Sequence, residues 1–387
     1  MARPMPRLPP VTRADFPDSA AVISVIVIQP RSSHGSDSAG PCSAITQCGD
    51  RSRRPGANVH RVWRRAGAWR RAGLLVCGGC LAVGVVGFWL HFTRVRTDTV
   101  VSLAAFAPYL MAVALGGLLL GAVLRAWWLT AAGVVVVLVS TFTQVPLYLP
   151  SRSGGPSELT VLQFNLMLGQ AEVSELADLV RREHVDVLTV TELTAEALAA
   201  VEASPITDDL RYSYTQPARA GNGGGVFSRF PIVERRRLDG FWLPNLRTVI
   251  AVPHKAPLAV YGLHVMPPYP NTSAQWRSEL TSLREDLVDE QLPVIVSGDF
   301  NATHDHRAYR ALTAVAPGRP GMIDAAEHTG AGMVPTYPAD RFFPPLLALD
   351  RMLSRGGPEP VEFRRIRVAG SDHYAVVGRF RGLPPRR

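Results

Sequence analysis

The amino-acid sequence predicts a mixed α/β domain with substantial β-sheet, preceded by a group of membrane-spanning helices. Three apolar runs of about 20 residues or more lie between residues 73 and 149, and their interiors contain no Asp, Glu, Lys or Arg. From residue 159 onward, short apolar runs rich in β-branched residues alternate with a few amphipathic helical patterns. The first pattern is typical of a multi-span membrane region, and the second of a layered α/β domain.

The segment before the first apolar run, residues 1–60, is rich in Pro, Ser, Arg and Gly and shows little periodicity. This composition predicts a disordered, basic N-terminal segment. The net charge of +9 arises in this part of the protein, because 15 basic and 5 acidic residues precede residue 151, whereas 26 and 27 follow. The high isoelectric point is therefore weak evidence that the downstream domain binds nucleic acid.

A membrane region is predicted over residues 61–150, with three transmembrane helices at about 73–92, 100–124 and 127–149. Eight arginines lie between residues 51 and 71, before the first span, whereas only Arg94 and Arg96 follow it. The positive-inside rule then places the N-terminus in the cytoplasm. Three spans would deliver the downstream domain to the extracytoplasmic side of the cell membrane, as part of a multi-pass protein. A cleaved signal peptide and a twin-arginine export signal are the less favoured interpretations.

All four cysteines precede residue 81, so the downstream domain contains neither disulfide nor thiol chemistry. Cys77 and Cys80 spell C-x-x-C, but they lie within an apolar run and no further zinc ligands are nearby. We therefore interpret them as part of a membrane helix.

Residues 151–158 ("SRSGGPSE") predict a linker, residues 159–382 the globular domain, and residues 383–387 a short tail. Strand-like segments dominate the globular part, and they include "LTVLQFN", "VDVLTVTEL", "GGGVFSRFPIV", "PLAVYGLHV", "PVIVSGDF" and "HYAVVGRF". The segments "VSELADLVRREH" and "AQWRSELTSLREDLV" have the periodicity of amphipathic helices.

Polar side chains of the types used in metal binding and proton transfer lie at the ends of several predicted strands. They are Asn165, Glu192, His264, Asp299, Asn301, Asp350, Asp372 and His373. Each alone is explained by a turn or a helix cap. Because sites gather at the strand ends of layered α/β folds, the whole set predicts one functional site. The adjacent run His304, Asp305, His306 could be a metal cluster, although polarity at a rim or a helix start is the simpler interpretation.

The ordered segments "QFN", "VTE", "GLHV", "SGDFNA", "LDRML" and "GSDHYAVV" resemble the endonuclease/exonuclease/phosphatase family over about residues 158–382. The resemblance implies a four-layered α/β sandwich, in which two packed mixed sheets are flanked by helices. It also implies a metal-dependent hydrolase of ester bonds that uses Mg²⁺, with Mn²⁺ as the alternative.

The same resemblance implies specific roles for the polar residues. Those matching metal-binding positions are Glu192, Asn165 and Asp372. Those matching catalytic positions are His373, Asp350, Asp299, Asn301 and His264. In the family pattern the Asp299–Asn301 pair orients the nucleophile and binds phosphoryl oxygens, and Asp350 orients His373. The sequence does not reveal an acidic partner for His264.

The function expected is a membrane-anchored, Mg²⁺-dependent phosphoesterase that hydrolyses phosphodiester bonds by in-line attack of water on the extracytoplasmic side. The substrate is a nucleic acid or a phospholipid head group, and the sequence leaves the two open. An inositol-phosphate-type monoester phosphatase is less favoured, because Lys255 is the only lysine of the domain. The alternative from another class is a non-catalytic, membrane-tethered binding module. No protein partner is implied.

Overall fold

Four helices begin the part of the chain that the computed structural model describes, which comprises residues 56–151, 154–314 and 320–386. They are α1 (Gly56–Phe92), α2 (Asp98–Ala104), α3 (Ala107–Val123) and α4 (Trp127–Gln144), and a 3₁₀ turn, Val145–Leu147, continues α4. The prediction of a disordered segment over residues 1–60 lies outside the described residues, apart from residues 56–60, which belong to α1.

The apolar helices include two that are each long and apolar enough to cross a membrane, Gly67–Phe92 and Trp127–Leu147. The helices α2 and α3 meet this criterion only as a pair, bent by 66°. The second predicted span is therefore not one continuous helix. Pro108 lies in the first turn of α3, where its missing N–H cannot continue the hydrogen-bond ladder of α2. The described helices thus include two candidate spans, or three if the bent pair counts as one.

Small residues allow these helices to approach closely. A Cβ atom at Gly84 would lie 2.5 Å from the Cβ of Ala114, and one at Gly87 would lie 2.7 Å from the backbone nitrogen of Met111. Small residues that allow two helix backbones to approach this closely are common where membrane helices associate. Cys77 is buried there and its thiol donates to the carbonyl of Gly117 at 3.1 Å, in agreement with a packing role.

The globular domain contains twelve strands within its described residues. In chain order these are β1 (Leu159–Asn165), β2 (Val187–Thr191), β3 (Tyr212–Gln216), β4 (Gly224–Ser228), β5 (Ile232–Arg237), β6 (Leu246–Ile250), β7 (Leu258–His264), β8 (Val294–Asp299), β9 (Ile323–Asp324), β10 (Asp350–Arg355), β11 (Glu359–Ile366) and β12 (Ala375–Arg381). The helices are α5 (Val173–Arg182), α6 (Ala195–Glu202), α7 (Ile206–Asp209), α8 (Ser273–Asp289), α9 (Arg307–Thr313) and α10 (Ala325–Thr329).

The strands form two six-stranded sheets. The first has the order β11-β12-β1-β2-β4-β3 and the second has the order β5-β6-β7-β8-β10-β9. Both sheets are mixed, because β1 runs parallel to β2 and β7 runs parallel to β8, whereas the other neighbours are antiparallel. The predicted segment "GGGVFSRFPIV" is divided between β4 of the first sheet and β5 of the second. The division falls near Pro231, which has no N–H to offer a continuous ladder.

Three apolar clusters fill the spaces between four layers. Leu162 and Leu188 of the first sheet pack with Leu176 of α5, and Val296 of the second sheet packs with Trp276 of α8. A third cluster lies between the sheets and contains residues such as Val161, Val226, Val260, Ile295 and Met352. The helices thus cover the outer faces of two packed sheets, which confirms the predicted four-layered α/β sandwich.

The strand register brings the polar strand ends to one edge of the sandwich. In the second sheet, Asp299 lies opposite both His264 of β7 and Asp350 of β10. Gly298 is required at this edge, because a Cβ atom there would lie 2.2 Å from the carbonyl oxygen of Leu263. The sequence "SGDFN" therefore combines a tight strand contact with the side chains that follow it.

Candidate active site

The two sheets are joined at this edge by the side chain of Asn165. Its Nδ2 donates to Oε1 of Glu192 at 3.0 Å and to Oδ2 of Asp299 at 3.2 Å. Its Oδ1 accepts from the backbone N–H of Met167 at 2.9 Å. Residues far apart in sequence thus place two carboxylates and a carboxamide in one cluster that spans both sheets.

Two residues of this cluster have left-handed backbone conformations. The φ angle is 57° at Glu192 and 46° at Asn301. This region is uncommon for residues other than glycine, and such strain concentrates at functional sites. Glu192 directly follows the last residue of β2, and Asn301 lies two residues after the end of β8. Oε2 of Glu192 is further fixed by the backbone N–H of Leu168 at 2.7 Å.

His373 and Asp350 form a buried pair. Nδ1 of His373 donates to Oδ2 of Asp350 at 2.8 Å, and Gln163 donates weakly to the other carboxylate oxygen at 3.4 Å. Burial alone would lower the pKa of His373, but the carboxylate of Asp350, with those of Asp299 and Asp372, raises it to about 10. The imidazole is therefore protonated at neutral pH, and its Nε2–H is a donor.

A second histidine, His264, faces the carboxylate of Asp299. Nε2 of His264 and Nε2 of His373 each lie 3.9 Å from Oδ2 of Asp299. This separation is longer than a direct hydrogen bond, so both rings are able to donate to a third group placed among them. Among the described residues, no carboxylate supports Nδ1 of His264, which is buried without a hydrogen-bond partner. The His264 backbone is instead held by Asn245, which donates to its carbonyl and accepts from its N–H.

The remaining predicted residues lie around this group. The backbone N–H of Asn301 donates to Oδ1 of Asp299 at 2.9 Å, and its side chain donates to the carbonyl of Val265 at 2.9 Å. Asp372 adjoins His373, and its Oδ1 is buried without a partner. The structure therefore brings together Asn165, Glu192, His264, Asp299, Asn301, Asp350, Asp372 and His373.

The acidic groups oppose one another's ionisation. Burial, and then the charge of Asp350, raises the pKa of Asp299. Burial raises the pKa of Asp372 to about 6, with Glu192 adding to the effect and His373 opposing it. Carboxylates held close together in a low-dielectric setting are stabilised by a cation. The carboxylates of Asp299 and Asp350, with the His373 imidazole, form a buried group that could hold a metal ion.

Three supporting residues were not predicted from the sequence. Oγ of Ser371 donates to the carbonyl of Asn165 at 2.7 Å and accepts from the N–H of His373 at 3.0 Å. Ser371 therefore connects the end of β1 to the turn that carries His373. The ring of Tyr337 lies 5.0 Å from that of His373. Ser371 lies in the segment "GSDHYAVV", which carries the family resemblance, so the sequence could have indicated it. Tyr337 and Asn245 carry no local pattern that distinguishes them.

The run His304–His306 does not join this cluster. Nδ1 of His91, in α1, contacts Oδ1 of Asp305 at 2.7 Å, and Nε2 of His306 contacts the carbonyl of Val101, in α2, at 2.9 Å. His306 also precedes the first residue of α9, as a helix-start residue would. These side chains therefore connect the globular domain to the apolar helices.

This chain resembles several solved structures and one family profile. Similar solved structures include a humanized TDP2 of D. rerio (17% identity, 58% of this chain and 98% of that chain, TM-score 0.46) and sphingomyelinase C of Streptomyces griseocarneus (20%, 58% and 99%, TM-score 0.42). No curated protein matches the chain. The sequence profile described as the Endonuclease/Exonuclease/phosphatase family matches residues 162–373, which is more than half of the chain. The protein therefore belongs to the endonuclease/exonuclease/phosphatase family, whose members are typically hydrolases of phosphoester bonds.

Proposed function

We propose that this protein is a membrane-anchored, divalent-metal-dependent phosphodiesterase whose site comprises the cluster at the sandwich edge. The observation that supports this most strongly is the convergence of two imidazole Nε2 atoms on Oδ2 of Asp299, at 3.9 Å each, beside the linked carboxylate of Glu192. Two hydrogen-bond donors and a set of oxygen ligands around one point suit a phosphoryl group and its metal ion.

Glu192, Asp372 and Asn165 are the proposed metal ligands. Their donors are carboxylate and carboxamide oxygens, which hard cations such as Mg²⁺ prefer, and Oδ1 of Asp372 is buried without a partner. The Asp350–His373 pair is a less suitable ligand set, because a protonated imidazole has no free nitrogen lone pair with which to bind a metal ion. A bound Mg²⁺, or alternatively Mn²⁺, would neutralise charge that develops on the phosphoryl oxygens.

The remaining residues have roles that follow from their protonation. Asp299, whose pKa is raised, is suited to orient the attacking water and accept its proton. Protonated His373, held by Asp350, and His264 donate to the phosphoryl oxygens. The amide of Asn301 keeps one N–H that can donate to the same region without adding negative charge. In the in-line displacement, the oxygen of water bonds to phosphorus as the bond to the alcohol oxygen breaks, and Nε2–H of His373 is the proton donor available to that leaving oxygen.

The site edge of the sandwich is also the edge that contacts the apolar helices. The backbone N–H and hydroxyl of Ser273 donate to Oδ1 of Asp98, and the hydroxyl of Tyr109 donates to the carbonyl of Leu346 at 2.6 Å. Tyr269 and Phe342, which are strongly exposed, lie a few residues from these contacts. If the helices span the membrane, the site therefore lies close to the bilayer surface. This favours a phospholipid head group over a nucleic acid as the substrate.

The test uses the full chain in lipid nanodiscs with bis(p-nitrophenyl) phosphate and Mg²⁺. Hydrolysis should be lost on addition of EDTA and should fall by about 10³-fold or more in Glu192→Ala and His373→Ala. The matched control is Asp178→Ala, an exposed acid on α5 that contacts none of the site residues, and it should retain wild-type rates. Unchanged rates in both site variants would refute the assignment. Parallel assays with radiolabelled phospholipids, DNA and RNA decide the substrate class.

The location of the domain is a separate proposal that depends on the arginine bias before the first span. It places the domain on the extracytoplasmic side. Protease treatment of intact cells should remove a C-terminal epitope tag. Protection of the tag in intact cells, with cleavage after permeabilisation, would reverse the orientation.

A further inference from the structure

The segment that carries Asn301 is held by the ends of the apolar helices. This polar joint consists of Asp305, His306 and Arg310 from the globular domain, with His91, Gln144 and the carbonyl of Val101 from the helices. The segment Phe300–His306 connects the end of β8, at Asp299, to α9. It therefore lies between the candidate active site and the helices.

Asp305 connects two helices to this segment. Its Oδ1 accepts from Nδ1 of His91 at 2.7 Å and from Nε2 of Gln144 at 2.9 Å. Asp305 is 2% exposed, so both bonds are shielded from water. Burial would raise the pKa of Asp305, but the hydrogen bond from His91, with other nearby charges, lowers it. Asp305 is thus a carboxylate that anchors α1 and α4 together.

His306 connects a third helix to the same segment. Its Nδ1 accepts from the backbone N–H of Thr303 at 2.9 Å, so the proton lies on Nε2, which donates to the carbonyl of Val101 at 2.9 Å. Thr303 follows Asn301 by two residues. The imidazole ring therefore forms a short bridge between the turn that carries Asn301 and helix α2.

Further contacts leave the segment little freedom. Arg310 donates to the carbonyls of His304 and His91, so it joins both sides of the joint. The indole of Trp276 donates to the carbonyl of Phe300 at 3.3 Å, and its ring contacts that of His306. Asn301 is held in its left-handed conformation between these fixed points. A shift of the joint would therefore be transmitted to Asn301 over only a few residues.

We infer that the apolar helices are a positioning element of the active site, which acts through Asp305 and His306 on the Asn301 segment. These two are positioning residues, because neither belongs to the cluster that would contact the substrate. The expected effect on kcat rests on the proposed phosphodiesterase function. The inference that the helices hold the Asn301 segment in place does not depend on that function.

The chain offers a matched control for helix contact alone. Asp98, at the start of α2, also connects the helices to the globular domain, through Ser273. Ser273 begins α8, which carries none of the candidate site residues but holds the carbonyl of Phe300 through Trp276. Asp98→Asn removes the charge of one helix contact and leaves in place the bonds from Trp276 to Phe300 and from His306 to Val101.

The experiment compares Asp305→Ala, His306→Asn and Asp98→Asn in the full chain in nanodiscs. His306→Asn is the milder change, since asparagine can still accept from Thr303 at a helix start but does not reach Val101. For bis(p-nitrophenyl) phosphate with Mg²⁺, kcat should fall by about tenfold or more in the first two variants, with KM changed by less than about twofold. Amide hydrogen exchange over residues 300–306 should accelerate in the same two variants. Asp98→Asn should match the wild type in both readouts.

Three results would overturn the inference. They are unchanged kcat and exchange in His306→Asn, equal losses in Asp98→Asn, and a change confined to KM. If Asp305→Ala does not fold, His306→Asn alone decides. If the wild type hydrolyses no phosphodiester, the proposed function fails. Hydrogen exchange then decides the positioning role by itself: faster exchange over residues 300–306 in His306→Asn but not in Asp98→Asn supports it, and equal exchange refutes it.

Discussion

Two buried clusters of aspartate and histidine lie at the two ends of the segment Phe300–His306, and they differ in how their hydrogen bonds are made. At the candidate site, Oδ2 of Asp299 lies 3.9 Å from each of two imidazole nitrogens. At the polar joint, Oδ1 of Asp305 accepts at 2.7 and 2.9 Å. Burial raises the pKa of Asp299, whereas at Asp305 burial is outweighed by the hydrogen bond from His91 together with nearby positive charge and Gln144, so the pKa of Asp305 is lowered.

This difference shows that residue type alone does not distinguish a reactive cluster from a structural one. Satisfied hydrogen bonds between buried partners stabilise a fold, and removing one partner is costly. Carboxylates that repel each other at a strand end reduce stability, and such costs are typical of functional sites. The same substitution should therefore reduce stability less at the candidate site than at the joint.

The largest effect is expected for Asp299→Asn. Hydrolysis of bis(p-nitrophenyl) phosphate should fall by about 10³-fold, because the amide cannot accept the proton of water. The unfolding temperature in EDTA should fall less than in Asp305→Asn, because the acceptor lost to Asn165 or Asn301 is offset by removal of a charge that burial and Asp350 oppose. Calorimetry and initial rates of the full chain measure both. Loss of stability comparable to that at the joint would contradict the comparison.

The matched substitution Asp305→Asn should destabilise the protein. Asparagine offers a neutral oxygen in place of a carboxylate, so the two hydrogen bonds that Oδ1 accepts from His91 and Gln144 lose the strength that the charge gives them. The free energy of unfolding should decrease by about 1–3 kcal/mol. Thermal unfolding in the same nanodiscs measures the loss. An unfolding temperature equal to that of the wild type would show that the joint does not stabilise the fold.

A smaller effect is expected from pH. Burial, as the leading cause, lowers the pKa of His306 to about 4, so the folded protein resists protonation of this ring. The neutral His306 ring contributes fully to stability above the ordinary pKa of about 6.5. As the pH falls towards 4, the free energy of unfolding decreases by about 2–3 kcal/mol because this contribution is lost. The unfolding temperature of His306→Asn should therefore vary less between pH 7 and pH 4.5 than that of the wild type. An equal change in unfolding temperature with pH in the variant and in the wild type would exclude this contribution of His306.

The smallest effect is expected at the opposite end of the sheets. Nζ of Lys255 contacts Oε2 of Glu158 at 2.6 Å, and both side chains are partly exposed. Lys255→Met should lower the free energy of unfolding by less than about 1 kcal/mol and leave hydrolysis unchanged. Chemical denaturation and the rate assay check this. A decrease in the free energy of unfolding as large as that in Asp305→Asn would show that burial does not explain why one contact stabilises the fold more than the other.

The sequence by itself determined the classes of element, and it indicated the polar residues that the structure brings together. Alternation and apolar length are local properties, so the strands near Asn165, His264 and Asp299 and the apolar helices could be predicted. The polar residues could be predicted because each lies at, or within a few residues of, the end of a strand. Tyr337 and Asn245 could not be predicted, because their roles depend on contacts with distant segments.

Only the tertiary structure decided which partners meet. His91 and Asp305 are 214 positions apart, and no local pattern indicates that they bond. The division of one predicted strand between two sheets, and the bend between α2 and α3, likewise depend on packing. The physical reason is that periodicity specifies which face of an element is buried, whereas hydrogen-bond partners are fixed only when separate elements pack together.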